Sequence, residues 1–137
     1  MMANVARIYY RAGYKYQTTR DFSHQTEIHG FEGGSRFLSI QKDGLIWIKE
    51  GYAWDGPSGP TFDTKDAMRG SLVHDALYQM MREKILPLSM RDRADALLKS
   101  ICEEDGMGAI RSNIWWLGVR KFADKAAQVG KSEEVAP

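Results

Sequence analysis

The chain has 137 residues, a length typical of one domain that buries a core without disulfides or metals. Its net charge of +1 and 43% hydrophobic residues indicate an ordinary globular protein and exclude a strongly basic nucleic-acid-binding one. Cys102 is the single cysteine, so no intramolecular disulfide can form, which fits a reducing compartment. We expect one domain over residues 1–137, with neither a signal peptide nor a transmembrane segment.

Residues 5–50 are rich in β-branched and aromatic side chains and predict strands. Asp43-Gly44 indicates a hairpin turn, because this pair tolerates the positive φ of tight turns. Residues 32–35 predict another turn. The alternation within residues 46–49 is imperfect, so we expect that strand to be covered on both faces. The strongest predicted strands are 5–10, 37–41 and 45–49, and the weaker ones are 14–18 and 26–28.

A glycine- and proline-rich loop at 51–64 separates the strands from the helices. Asp63 or Thr64 can cap the first helix. Apolar residues then cover most of this helix's circumference, which predicts a central, buried helix. Pro87 prevents its continuation.

The second helix is predicted to begin at Ser89, with Asp92 completing a capping box, and to stop at Gly106. Its short connection to the first helix makes the two antiparallel. A third helix is expected over 109–128, followed by a flexible tail at 130–137. Strands and helices occupy separate parts of the chain, so the predicted class is α+β, with an N-terminal antiparallel sheet before three helices.

The first helix carries the residues best suited to chemistry. His74 and Tyr78 share a helix face because they are four residues apart, and histidine suits general-base catalysis near neutral pH. Asp95 or Asp92 on the second helix can accept a hydrogen bond from His74 and fix its tautomer. The sequence leaves open which of the two does so.

Oxygen ligands for a hard cation such as calcium are also concentrated here. They are the carboxylates of Asp75 and Asp55 and the loop carbonyls near Gly56, Ser58 and Gly59.

Each feature also has a structural interpretation. His74 can be a core histidine satisfied by Asp95 and Tyr78 in a packing network. His24 and His29 are expected at the surface. We expect Cys102, the methionines and the Trp115-Trp116 pair to serve packing.

Several runs resemble a family of phage and prophage proteins, the domain-of-unknown-function 1353 family. The resemblance covers about residues 37–122 and implies a phage or prophage origin, with a location in the host cytoplasm or the virion. It supplies no activity. The runs are GYAWDGPSGPT, SLVHDALYQ, RDRADALL, EEDGM and GVRKF.

A second resemblance concerns the central site. Asp-Gly-Pro-Ser at 55–58, His-Asp-Ala-Leu-Tyr at 74–78 and a later aspartate are similar to prokaryotic-type phospholipase A2. The resemblance implies that His74 activates water, that Asp95 orients His74, and that Tyr78 binds Asp95. The chain departs from the secreted enzymes, whose helix is stapled by disulfides.

The same resemblance implies a calcium ion that polarises the ester carbonyl. Asp75, Asp55 and a carbonyl near Gly56 would hold it. An enzyme of this kind acts on phospholipid or a membrane surface, and the predicted interfacial residues are Trp54, Phe62 and Tyr52.

Two other functions stay open. One is a non-catalytic phage structural or accessory protein, of tail or capsid, whose partners are other phage proteins or a second copy. The other is a phosphohydrolase in which His74 and Asp75 bind a transition metal, which requires further histidines nearby. No segment indicates a nucleic-acid-binding module.

Overall fold

A computed structural model describes residues 7–11, 16–56 and 65–128. Its strands precede its helices, which confirms the α+β class. The strands are β1 (Tyr10–Arg11), β2 (Tyr16–Thr18), β3 (Phe22–Gln25), β4 (Gly33–Gly34), β5 (Leu38–Ile40), β6 (Leu45–Ile48) and β7 (Ala53–Trp54). The helices are α1 (Lys65–Arg82), α2 (Arg91–Glu104) and α3 (Ala109–Gln128), with a 3-10 turn at Leu88–Met90 before α2.

The described strands form two antiparallel sheets. The smaller sheet has the order β1-β2-β7, and the larger has the order β3-β6-β5-β4. In the smaller sheet Tyr16 pairs with Trp54, so β2 holds the strand that leads directly to Asp55 and Gly56. Thr18 also holds the turn that precedes β7, because its hydroxyl donates to the Lys49 carbonyl at 3.0 Å.

The predicted hairpin between β5 and β6 is confirmed. Gly44 has a φ of +91°, which its turn requires, and a Cβ there would lie 2.4 Å from the Thr26 carbonyl oxygen. In β6, Ile46 and Ile48 are buried whereas Trp47 is 40% exposed. The expectation that both faces of this strand are covered is therefore wrong, because only one face meets the core.

One strand prediction and one turn prediction are also wrong. The strand lies at β3 rather than at 26–28, because the Thr26 hydroxyl bonds the Gly44 carbonyl at 2.6 Å and accepts from the Ile28 amide. Residues 32–35 contain β4 rather than only a turn, since Gly33 and Gly34 pair with β5. The starts of the predicted strands 5–10 and 14–18, the caps Asp63 and Thr64, and the tail 130–137 lie outside the described residues.

The helix α1 is central, as its all-round apolar sequence predicts. Thirteen of its residues are buried, and Leu72, Val73, Ala76, Leu77 and Met80 have no exposed surface. They belong to one hydrophobic cluster with the inward residues of the larger sheet, among them Leu38, Ile46 and Ile48. Burial on this scale fixes the rotation of α1, and with it the directions of its polar side chains.

The helices α1 and α2 lie antiparallel, since Gly70 faces Cys102 while Tyr78, two turns later, meets Asp95. The predicted start of α2 at Ser89 is wrong. Residues 88–90 form a 3-10 turn, and the N-cap residue Met90 makes no side-chain capping bond. The predicted stop is confirmed, because Gly106 has a φ of +104° just beyond the helix.

Gly70 sets how closely α1 and α2 approach. A Cβ at this position would lie 2.7 Å from the Cys102 Sγ and 3.2 Å from the Leu98 carbonyl oxygen. Cys102 and Leu98 are both buried, so neither can move into solvent to make room. The helices therefore meet over a position where a side chain larger than hydrogen does not fit.

We predict that Gly70→Ala lowers the free energy of unfolding by about 1–2 kcal/mol through overpacking. This loss is expected although alanine favours a helix interior over glycine by about 0.5–1 kcal/mol. Chemical denaturation measures the change.

The double variant Gly70→Ala/Cys102→Ala tests the cause. Removing the Cys102 Sγ makes room for the new methyl group, so the two losses should fall short of additivity by about 1 kcal/mol. Gly108→Ala is the control, because nothing lies within 4 Å of its added Cβ. Additive losses would contradict the crowding between Gly70 and Cys102.

Candidate functional site

The predicted residues His74, Tyr78 and Asp95 meet at the contact of α1 and α2. The His74 Nε2 lies 2.7 Å from the Asp95 Oδ1, and the Tyr78 hydroxyl donates to the same oxygen at 2.5 Å. The rings of His74 and Tyr78 are 4.2 Å apart, as the four-residue spacing on one helix face requires. The choice between Asp95 and Asp92 as the partner of His74 is therefore decided in favour of Asp95.

Arg120 of α3 is a fourth member of this cluster. Its Nη1 donates to the Asp95 Oδ2 at 3.1 Å and also to the Asp92 Oδ1. Asp92 thus takes part through Arg120 and lies at the exposed rim, whereas Asp95 has no exposed surface. The Asp95 Oδ1 therefore accepts from side chains of α1, and its Oδ2 accepts from a side chain of α3.

The charge on Asp95 is stabilised despite complete burial. Burial alone would raise the pKa of this carboxyl, but hydrogen bonds from His74, Tyr78 and Arg120 outweigh it and lower the pKa. Burial and the bond to Asp95 raise the pKa of Tyr78, so its hydroxyl stays protonated and donates. Asp95 is therefore a buried carboxylate that only accepts hydrogen bonds.

This arrangement fixes the state of the His74 ring. The ionised Asp95 carboxylate can only accept, so the Nε2 of His74 must be the donor. In the neutral ring, Nε2 therefore carries the hydrogen and Nδ1 keeps the lone pair. His74 is 7% exposed, so only a narrow part of it meets solvent. The chemistry available is proton abstraction at Nδ1, with Asp95 stabilising the positive ring that results.

Of the predicted calcium ligands, Asp75 lies on a neighbouring face of α1, whereas Asp55 and Gly56 follow β7. Asp75 is half-buried and Asp55 is exposed, and both charges, after burial, raise the pKa of Tyr52. Gly56 is buried with a φ of +82°, and a Cβ there would lie 2.4 Å from the Tyr16 ring. Ser58 and Gly59 lie outside the described residues.

Three of the predicted calcium ligands, Asp75, Asp55 and Gly56, lie among the described residues. Across 7–11, 16–56 and 65–128, no three His, Cys, Asp or Glu side chains lie close enough together to hold a metal ion. Calcium takes about six to eight oxygen ligands, which include backbone carbonyls and water, so Asp75, Asp55 and Gly56 would supply part of its coordination shell. The same finding leaves the transition-metal phosphohydrolase without a ligand set in this part of the chain.

The predicted interfacial surface is wrong for two of its three residues. Trp54 is 2% exposed and its indole donates to the Ser71 hydroxyl at 3.0 Å. Tyr52 is 4% exposed and its hydroxyl donates to Gln79. Both are core residues that hold β7 against α1. Phe62 lies outside the described residues.

The remaining predictions for single residues have mixed outcomes. His29 is exposed, as expected, whereas His24 is half-buried and its Nδ1 lies 3.4 Å from Arg69, so its surface assignment is wrong. Cys102 is buried in a cluster with Ala67, Leu98 and Met107, as its predicted packing role requires, and this burial raises the pKa of its thiol to about 12. Trp116 is half-buried beneath Lys99.

Arg120 is the residue that sequence reasoning missed. It lies 25 residues beyond Asp95, on a helix whose rotation the sequence did not fix. The apolar residues Ile110, Ile114 and Leu117 of α3 are 80%, 50% and 60% exposed. The inner face of α3 instead includes Ser112, which is buried and donates to Glu103.

No family model, no curated protein and no solved structure matches this chain. Within the described residues, no helix combines the length and the apolar character needed to cross a membrane. The two family resemblances therefore stay predictions, and the function is argued from the site.

We predict that Arg120→Gln lowers stability at pH 7 and that the difference from the wild type shrinks on acidification. The pKa of Asp95 is lower in the folded chain than its ordinary value of 3.8. Its stabilisation is therefore complete well above pH 3.8 and is lost as the pH falls through the lower folded value. Urea denaturation between pH 7 and pH 2.5 measures the difference.

Arg93→Gln is the matched control, because exposed Arg93 donates to a backbone carbonyl, that of Glu27, at 3.2 Å. Its stability difference from the wild type should be small and independent of pH. A pH-independent difference for Arg120→Gln would show that Arg120 does not stabilise the Asp95 charge.

Proposed function

We propose that this chain is an ester hydrolase of phospholipase A2 type, of phage or prophage origin, in which His74 activates water. The observation that carries the proposal is the shared Asp95 Oδ1, which lies 2.7 Å from the His74 Nε2 and 2.5 Å from the Tyr78 hydroxyl. The sequence resemblance assigns these three residues these relations to one another. Their geometry supports that assignment.

In the proposed reaction, water loses a proton to the His74 Nδ1 as its oxygen attacks the ester carbonyl. The proton makes the ring cationic, and Asp95 stabilises that charge through Nε2. Tyr78 and Arg120 keep Asp95 oriented and ionised, so the carboxylate does not take the proton itself. His74 returns the proton to the departing alkoxide, which balances the cycle.

The proposed substrate is a phospholipid, because the resemblance implies that an ester bond of a phospholipid is hydrolysed. Calcium stays part of the prediction from resemblance, with Asp75, Asp55 and Gly56 as its ligands. When bound, such an ion would polarise the ester carbonyl. The steps assigned to His74 and Asp95 depend only on the residues shown here.

A second function is favoured by the completeness of the Asp95 contacts. His74, Tyr78 and Arg120 use both oxygens of a carboxylate that has no exposed surface, and His74 itself is almost buried. A fully satisfied buried network of this kind is also compatible with a purely structural role, in which it locks three helices together. The chain would then be a non-catalytic phage structural or accessory protein, whose partners are phage proteins or a second copy.

We predict that His74→Asn lowers the rate of ester hydrolysis by about 10²-fold or more, because general-base catalysis contributes about 10²–10⁴-fold. The assay measures acid release from dihexanoyl phosphatidylcholine, with and without added calcium. His29→Asn is the control, since His29 is exposed and lies outside the site. It should keep the wild-type rate.

The structural alternative gives the opposite pattern in the same variants. It predicts no hydrolysis by the wild type, and a loss of about 1–3 kcal/mol in His74→Asn because Asp95 loses a buried partner. Hydrolysis that survives His74→Asn would contradict the catalytic role. A fully stable His74→Asn protein that never hydrolyses ester would contradict the structural role.

Calcium binding is tested separately by calorimetric titration. The resemblance predicts binding by the wild type and its loss in Asp75→Asn, with Asp43→Asn as the control in an exposed turn. Equal heats from the wild type and Asp75→Asn would exclude Asp75 as a ligand. The outcome does not decide the role of His74, which the hydrolysis assay addresses.

A further inference from the structure

A cleft of about 680 Å³ lies beside the first turns of α1, away from the His74 cluster. Its volume falls within the range of small-molecule sites, about 300–1,000 Å³. Ile8, Tyr10 and Met68 supply apolar surface to its lining, and Arg7, Lys65 and Arg69 supply cations. The cleft therefore combines an apolar wall with positive charge.

Arg69 is the buried charged residue of the cleft, at 6% exposed. Its Nε donates to the Asp105 Oδ2 at 3.1 Å and its Nη2 donates to the Asp105 Oδ1 at 3.0 Å. Glu104 lies 3.6 Å from the same Nη2. Arg69 thus neutralises much of the acidic charge in the cleft wall, and its fork is held rigid.

The remaining side of Arg69 is also engaged. Its Nη1 lies 3.4 Å from the His24 Nδ1. Burial and the Arg69 charge lower the pKa of His24, so the neutral ring can accept from the guanidinium. Arg69 and its partners therefore form a preorganised wall.

Arg7 and Lys65 differ from Arg69. Both are exposed, and no ion pair joins either one to another residue in the described part of the chain. The acidic residues of the cleft are those that Arg69 already engages. The charge left for a ligand is consequently positive and lies at the rim, beside the apolar wall.

We propose that this cleft binds a small amphiphilic anion, a carboxylate or phosphate monoester whose head meets Arg7 and Lys65 and whose apolar body lies on Ile8, Tyr10 and Met68. Charge complementarity selects the head, and the burial of apolar surface favours a short chain over a bare ion. The proposal does not rest on the function assigned to His74.

The probes are sodium octanoate and octyl phosphate, each titrated below its micelle concentration and followed by amide NMR shifts. We expect saturable binding of at least one of them, with a dissociation constant on the order of 1 mM. Binding of octanoate identifies a carboxylate site, and binding of octyl phosphate identifies a phosphate site. Acetate and inorganic phosphate, which lack the chain, should bind at least about fivefold more weakly, since a few buried CH₂ groups are worth more than 1 kcal/mol.

Lys65→Gln and Arg7→Gln should each weaken binding by about 3- to 10-fold, the size of one exposed charge contact. Lys42→Gln, in the exposed hairpin turn, should bind as the wild type does. Equal binding of octylammonium, or wild-type affinity in both rim variants, would overturn the proposal. Failure of both anions to saturate would overturn it as well.

Discussion

The ionised carboxylate of Asp95, held without any contact with water, is the constraint on which the helical half depends. A charge in that position is tolerated only when hydrogen bonds replace its hydration. Here the replacements come from His74 and Tyr78 on α1 and from Arg120 on α3. One side chain of α2 therefore specifies where both neighbouring helices must lie.

The contact between α1 and α2 makes this possible. At Gly70 the helices approach so closely that no side chain fits between them, and this brings Asp95 within hydrogen-bonding distance of His74. The apolar residues of α1 fix its rotation against the larger sheet, while Trp54 and Tyr52 bond to Ser71 and Gln79 and hold β7 against the helix. The core, the close approach and the polar cluster thus support one another.

The sequence predicted most of the site and less of the sheet, for physical reasons. The helical period placed His74 and Tyr78 on one face, and the short connection made either Asp92 or Asp95 face them, because both follow from local geometry. The choice of Asp95 came from the structure. The strand at Gly33–Gly34 was missed, since glycine has little strand propensity and pairs here only because β5 lies beside it. Arg120 was missed because the apolar pattern of α3 does not indicate its buried face, and Ile110 points to solvent.

The attachment of α3 has a consequence for the way the chain opens. Among the described side chains of α3, Ile110, Ile114 and Leu117 are largely exposed, while Ser112 and Arg120 bond to carboxylates of α2. Electrostatic contacts therefore help to hold α3, and its sub-global opening should be sensitive to ionic strength. Amide protons of α3 would then exchange faster as salt is added, while those of α1, enclosed by apolar side chains, would be little affected.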